Sequence, residues 1–108
     1  MEDNYQMRRL IKSIVRDIAD SISECSDGSQ ALQVYRAHEP DWVLMDIEMK
    51  ELDGISATRQ IKAAFPDARI VMVTEYDHPD YREEALRAGA CEYVLKENLF
   101  EIRRILTI

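Results

Sequence analysis

The chain has 108 residues, enough for one domain over 1–108 and too few to build a second core. An apolar fraction of 46%, a charged fraction of 32% and a net charge of −7 describe a globular chain. They argue against direct nucleic-acid binding or attachment to an anionic membrane, both of which draw on excess Lys and Arg. No apolar run spans a bilayer, the first ten residues hold no signal-peptide core, and Cys25 and Cys91 make neither a disulfide framework nor a zinc site. A reduced, cytoplasmic domain is expected.

Met7, Leu10, Ile11, Ile14, Val15 and Ile18 keep helical spacing, so the first helix has one apolar face. Arg8, Lys12 and Arg16 line its other side, either as a solvated face or as a docking stripe for an acidic partner. Ser21–Cys25 is a short strand candidate, and Asp27 with Gln30 predicts a capping box for a helix through Ala31, Leu32 and Tyr35. The apolar run Trp42–Met45 predicts a buried strand ending at Asp46, with Trp42 packed at its start. Gly54 opens a helix that stops before Pro66, and Ile70–Val73 predicts a strand buried on both faces and ending at Thr74. Pro79 starts the next helix and Gly89 closes it. Tyr93–Leu95 predicts a last strand ending at Lys96, and Asn98 with Glu101 a cap for the final helix. Cys25 and Cys91 are expected as small buried groups, and His38 and His78, being isolated, as no metal site.

Alternating strands and helices, with strands apolar on both faces, call for a parallel sheet covered by helices on two sides. Ligands of such sheets bind beyond the carboxyl ends of the strands. There the pattern places Asp46, Thr74 and Lys96, with Glu2 and Asp3 just before the first helix. Carboxylates packed about 4 Å apart repel by roughly 4 kcal/mol near a surface. Mg²⁺ relieves that repulsion while keeping several waters and a phosphate oxygen. An aspartate beside it can attack phosphorus to give an aspartyl phosphate, Lys96 neutralising the phosphoryl oxygens and Thr74 hydrogen-bonding one of them.

These residues resemble the receiver domain of bacterial response regulators from Glu2 to about Leu106. The resemblance lies in Glu2-Asp3 with Met7-Arg8-Arg9, in Asp46-Ile47-Glu48-Met49 with Asp53-Gly54, in Val73-Thr74, in Ala85–Ala90 and in Tyr93–Lys96. The separations also fit, with 28 residues from Asp46 to Thr74, 19 from Thr74 to Tyr93 and three from Tyr93 to Lys96. The resemblance implies a flavodoxin-like three-layer α/β sandwich with a parallel sheet of order 2-1-3-4-5. It implies a phosphoacceptor switch rather than an enzyme, with Asp46 phosphorylated by a histidine kinase, a phosphotransfer protein or a small donor. Asp3, Asp46 and the backbone carbonyl of Glu48 would bind Mg²⁺, and Glu2 would act through water. Lys96 and Thr74 would contact the phosphoryl group, and Tyr93 would change rotamer. The output would be contact with a downstream protein through the fourth helix, fifth strand and fifth helix, with room for a homodimer.

Three departures from the family pattern stand out. Lys50 replaces a usual proline and should loosen the turn after Asp46. Glu75 follows Thr74 where a small residue is usual and could repel a phosphodonor, which leaves a non-phosphorylated pseudo-receiver, an interaction module, as the alternative. A phosphohydrolase is disfavoured because Asp46-Ile47-Glu48 lacks a second aspartate two residues on. Third, the family's central first strand is missing except for Met1. Such a loss rivals a domain's whole net stability of about 5–15 kcal/mol. The chain as written is therefore expected not to be a stable monomer of ordinary five-strand topology. The strand would come from an earlier start, from four strands closing the gap, or from exchange between chains. With nothing after the fifth helix, output by protein contact or through a removed effector is expected.

Overall fold

The computed structural model describes residues 1–49 and 51–107, so the loosened turn expected at Lys50 lies outside the described residues. Eight main elements follow one another: α1 (Tyr5–Val15), α2 (Ala31–His38), β1 (Val43–Met45), α3 (Gly54–Ala64), β2 (Ile70–Thr74), α4 (Pro79–Ala88), β3 (Glu92–Leu95) and α5 (Glu101–Leu106). The strands form a parallel sheet in the order β1-β2-β3. Leu44 is in register with Val71, and Val73 with Val94.

Every residue of β2 is buried, as its continuous apolar run predicts for a strand covered on both faces. Its side chains alternate between two cores. Ile70 and Met72 pack with Ala31, Tyr35, Ile55, Ile61 and Ala85 from α2, α3 and α4. Val71 and Val73 pack on the opposite face with Ile14 and Val15 of α1 and Ile102 and Ile105 of α5. This gives the three layers expected. Each such side chain contributes about 1.5–3 kcal/mol when fully buried.

The sheet differs from the expected order 2-1-3-4-5, since its three strands match only the last three. Ser21–Cys25 is not a strand, so four strands do not close the gap among the described residues. Residues 1 and 2 partly bridge it. The Met1 nitrogen donates to the Leu44 carbonyl, and the Asp46 N–H donates to the Met1 carbonyl at 2.9 Å. The Glu2 N–H in turn donates to the Cys25 carbonyl at 2.9 Å. One residue thus does on the outer edge of β1 what a strand does elsewhere, and it leaves Glu2 and Asp3 at the rim.

Several local expectations need correction. The α1 helix ends at Val15 and not Ile18, which sits in a following turn with its N–H on the Val15 carbonyl. Asp27 caps a short 3₁₀ turn by accepting from Ser29 N, so no capping box with Gln30 forms before α2. Asn98 likewise lies in a 3₁₀ turn, Lys96–Asn98, and α5 starts without a side-chain cap. Both departures have one cause: a 3₁₀ turn precedes the helix and shifts its first free amides away from the acceptor. Cys91 is exposed, unlike Cys25. The α4 ends follow the sequence, with Pro79 at its start and Gly89 at φ 112°, a left-handed conformation that glycine takes without strain. Trp42 is half-buried under the Arg69 guanidinium, 4.3 Å from its ring centroid.

Candidate functional site

Asp46 continues β1 past the last paired residue and is 5% exposed. Its place depends on Gly54. The Gly54 N–H donates to the Ile47 carbonyl at 2.7 Å, and a Cβ added there would fall 1.8 Å from the Asp46 carbonyl oxygen. Only glycine lets the first turn of α3 close this tightly on the strand end. Asp53 holds that turn from the other side, accepting from Ser56 N at 2.9 Å.

Lys96 follows β3 and lies almost wholly inside the site. Its Nζ is 2.8 Å from Glu2 Oε1 and 3.3 Å from Asp46 Oδ2, so one ammonium ties two buried carboxylates. Burial opposes its charge, but Glu2 and Asp46 outweigh that and hold its pKa above the ordinary lysine value. Glu2 is 3% exposed, accepts from Asn4 N at 3.1 Å through Oε2, and accepts from Arg8 Nη1 at its backbone carbonyl. Asp46 carries the opposite imbalance. Burial first and Glu2 second raise its pKa to about 7, against the pull of Lys96.

Glu2, Asp3 and Asp46 each offer a carboxylate oxygen within 4.8 Å of the others. That set fits a hard divalent cation: the oxygens are of the right type, and three carboxylates lie together where Lys96 bonds only Glu2 and Asp46. The expectation that Glu2, Asp3, Asp46 and Lys96 converge is met. Glu2 meets Lys96 directly.

Thr74 ends β2 and is 1% exposed. Its Oγ1 accepts from Tyr76 N at 3.2 Å, which leaves the hydroxyl proton free to be donated. Tyr93, in β3, is buried with its hydroxyl donating to the Tyr76 carbonyl at 2.6 Å and the Arg82 guanidinium 4.8 Å from its ring centroid. Glu75 is exposed at the rim.

Two residues take parts that the sequence did not assign to them, Arg8 and Tyr76. Arg8 anchors the Glu2 backbone. Tyr76, half-buried, donates its hydroxyl to Glu48 Oε2 at 2.6 Å, and that carboxylate pushes the phenol pKa up to about 12. The available signal was positional: Glu48 and Tyr76 each stand two residues past a strand-end site residue. Arg8 and Lys12 of the basic stripe pair with Glu24, at 3.5 and 3.3 Å. Among the described residues no helix is long and apolar enough to cross a membrane.

A family model described as the response regulator receiver domain matches residues 1–107. Over 107 residues the chain is 36% identical to the chemotaxis protein CheY of Bacillus subtilis, covering 98% of this chain and 88% of that protein. The BeF3-activated N-terminal receiver domain of Klebsiella pneumoniae RstA superposes with a TM-score of 0.87 at 26% identity, over 99% of this chain and 95% of that one. The CheX–CheY–BeF3–Mg+2 complex from Borrelia burgdorferi gives 0.88 at 23% identity over 98% and 83%, a likeness of fold.

Proposed function

The chain belongs to the response regulator receiver family, flavodoxin-like phosphoacceptor switches of two-component signalling, and on that footing we propose that Asp46 is its phosphoacceptor. The observation that carries this is Lys96 bound to both Glu2 and Asp46 beside Asp3, at the end of a sheet whose next strand ends in Thr74. Asp46 Oδ attacks phosphorus, and the donor leaves with the electron pair of the broken bond. Lys96 turns from the carboxylates to the phosphoryl oxygens, and Thr74 donates its free hydroxyl proton to one of them. Asp3, Asp46 and the Glu48 backbone carbonyl would hold Mg²⁺, with Glu2 acting through water, and the ion would neutralise charge on the transferred group.

The phosphoryl group adds a charge of about −1.5 to −2 and recruits Thr74. Movement of Thr74 strains the Tyr76 N–H bond, and Tyr76 carries the carbonyl that holds Tyr93. This supports a relay from Asp46 to the face made by α4, β3 and α5, where Tyr81 and Leu86 of α4 are exposed apolar side chains. A histidine kinase or phosphotransfer protein supplies the phosphoryl group, and a protein reads the result. The domain acts as a signalling module, placed in the cytoplasm, rather than an enzyme.

The test is intact mass after incubation with Mg²⁺ and acetyl phosphate. One phosphate on wild type and none on Asp46→Asn supports the assignment. No phosphate on wild type selects the pseudo-receiver reading, with Glu75→Ala then showing whether the rim carboxylate repels the donor.

A further inference from the structure

Glu2 is gripped on both sides of its backbone, and both grips lead to Arg8. Directly, the Arg8 guanidinium donates through Nη1 to the Glu2 carbonyl at 2.8 Å, a bond strengthened by the donor's charge. Indirectly, Arg8 Nε lies 3.5 Å from Glu24 Oε1, and the carbonyl of the next residue, Cys25, accepts from the Glu2 N–H at 2.9 Å. One planar side chain therefore ties the residue before Asp3 to the first turns of α1 and to the segment beside it. Arg8 is itself pinned. Its backbone N–H sits on the Asn4 carbonyl, its guanidinium lies 5.5 Å from the Tyr5 ring centroid, and its side chain is only 19% exposed. Arg9 also approaches that ring, at 5.9 Å, yet it is exposed and bonds to none of residues 1–3 among the described residues.

We propose that Arg8 is a positioning residue for the divalent cation: by holding the Glu2 backbone it sets where the Glu2 and Asp3 carboxylates stand relative to Asp46, and so raises the affinity of that cluster for Mg²⁺. This role rests on Glu2, Asp3 and Asp46 being the cation site. Asp46, Thr74 and Lys96 each follow or end a paired strand, whereas residues 1–3 belong to no strand, so the acidic pair needs another anchor. Carboxylates left to drift would have to be gathered as the cation binds, and that ordering costs affinity. Electrostatics alone predicts the reverse of positioning. A guanidinium near three carboxylates repels an incoming cation, so its removal would tighten binding. The direction of the change therefore separates the two. Arg8 touches neither the cation's ligand oxygens nor the reacting atoms.

The experiment titrates Mg²⁺ into the full, unphosphorylated chain and follows the amide NMR shifts of Asp46 and Glu48. Arg8→Ala should weaken binding by about tenfold, the low end for losing a support behind a metal ligand. Arg8→Lys keeps the charge but not the fork that reaches both acceptors, and should also bind more weakly than wild type. Arg9→Ala removes the same charge one residue on and should bind as tightly as wild type or more so. Before Mg²⁺ is added, amide exchange at Glu2 should quicken in Arg8→Lys while that of β2 stays unchanged. An Arg8→Ala affinity unchanged or raised, an Arg8→Lys affinity equal to wild type, equal weakening in Arg9→Ala, or exchange rising equally across β2 would overturn the positioning role. Should Arg8→Ala not fold, Arg8→Lys decides. Unchanged Arg8 variants beside an Asp3→Asn variant that loses Mg²⁺ overturn Arg8 alone; a wild type with no saturable shift overturns the cation site and the role of Arg8 together.

Discussion

β2 and the first three residues deliver side chains to the same site by different physical means. β2 is paired on both edges and buried throughout, so Thr74 is placed by two apolar cores. Met1–Asp3 is held mostly by polar contacts: backbone hydrogen bonds to Leu44, Asp46 and Cys25, bonds from Asn4 N and the Arg8 guanidinium to Glu2, and the ion pair of Glu2 with Lys96, with Met1 alone packing against a core. Thr74 therefore owes its position to the fold. Glu2 owes its position to backbone hydrogen bonds and to the ion pair with Lys96, so a change in the charges of the site would act first on this segment. The lesson is that one half of the pocket is held by apolar packing and the other mostly by polar and charged contacts, among them the groups proposed for the chemistry.

The largest effect should come from breaking the packed half. Met72 is fully buried, and Met72→Ala should cost about 2–5 kcal/mol, read as a lower urea midpoint. Loss should be global, with amide exchange rising across the sheet together.

Lys96→Ala attacks the other half and should cost less, about 1–3 kcal/mol, because Asp46 can take up a proton when its partner goes. Its signature is local: exchange at the Glu2 and Asp46 amides should rise well before that of β2. A uniform rise would show that the first residues are anchored by something other than charge.

A smaller, pH-gated effect follows from Asp46. Its folded pKa, about 7, lies above the 3.8 of the unfolded chain, so between those values the unfolded state has already lost a proton that the folded state keeps. Stability then falls as pH rises from about 4 to about 7 and levels off above. Without Mg²⁺, Asp46→Asn should be more stable than wild type at pH 8, with the gain fading towards pH 4. Urea midpoints at several pH values check this, and a gain that grows on acidification would contradict it. Mg²⁺ should shrink the gain at pH 8 by stabilising the wild-type carboxylate.

The smallest effect marks the baseline. Glu83 pairs with Arg87 one turn on along the exposed face of α4, and Glu83→Gln should change stability by no more than about 0.5 kcal/mol, read from urea unfolding.

The sequence determined the layered α/β class, because β2 is continuously apolar and the helices are apolar on one side, and it placed Asp46, Thr74 and Lys96 at strand ends. Those are local signals: a strand stops where its apolar run meets a polar residue. Glu2 and Asp3 were legible too, as an acidic pair at the start of a helix, and the family resemblance joined them to the rest. Tertiary structure alone decided how they get there. A single residue, Met1, supplies the hydrogen bonds on the outer edge of β1, because bonds on that edge depend on which segment lies alongside it and leave no trace in composition or period. The same holds for Lys96 tying Glu2 to Asp46 across 50 and more positions, for Gly54 as the glycine against the Asp46 carbonyl, and for Tyr76 reaching Glu48. The failed caps at Gln30 and Asn98 belong here as well, since a 3₁₀ turn is chosen by how the next helix docks. Periodicity reports which face of an element is buried; distances between elements are set when those faces meet.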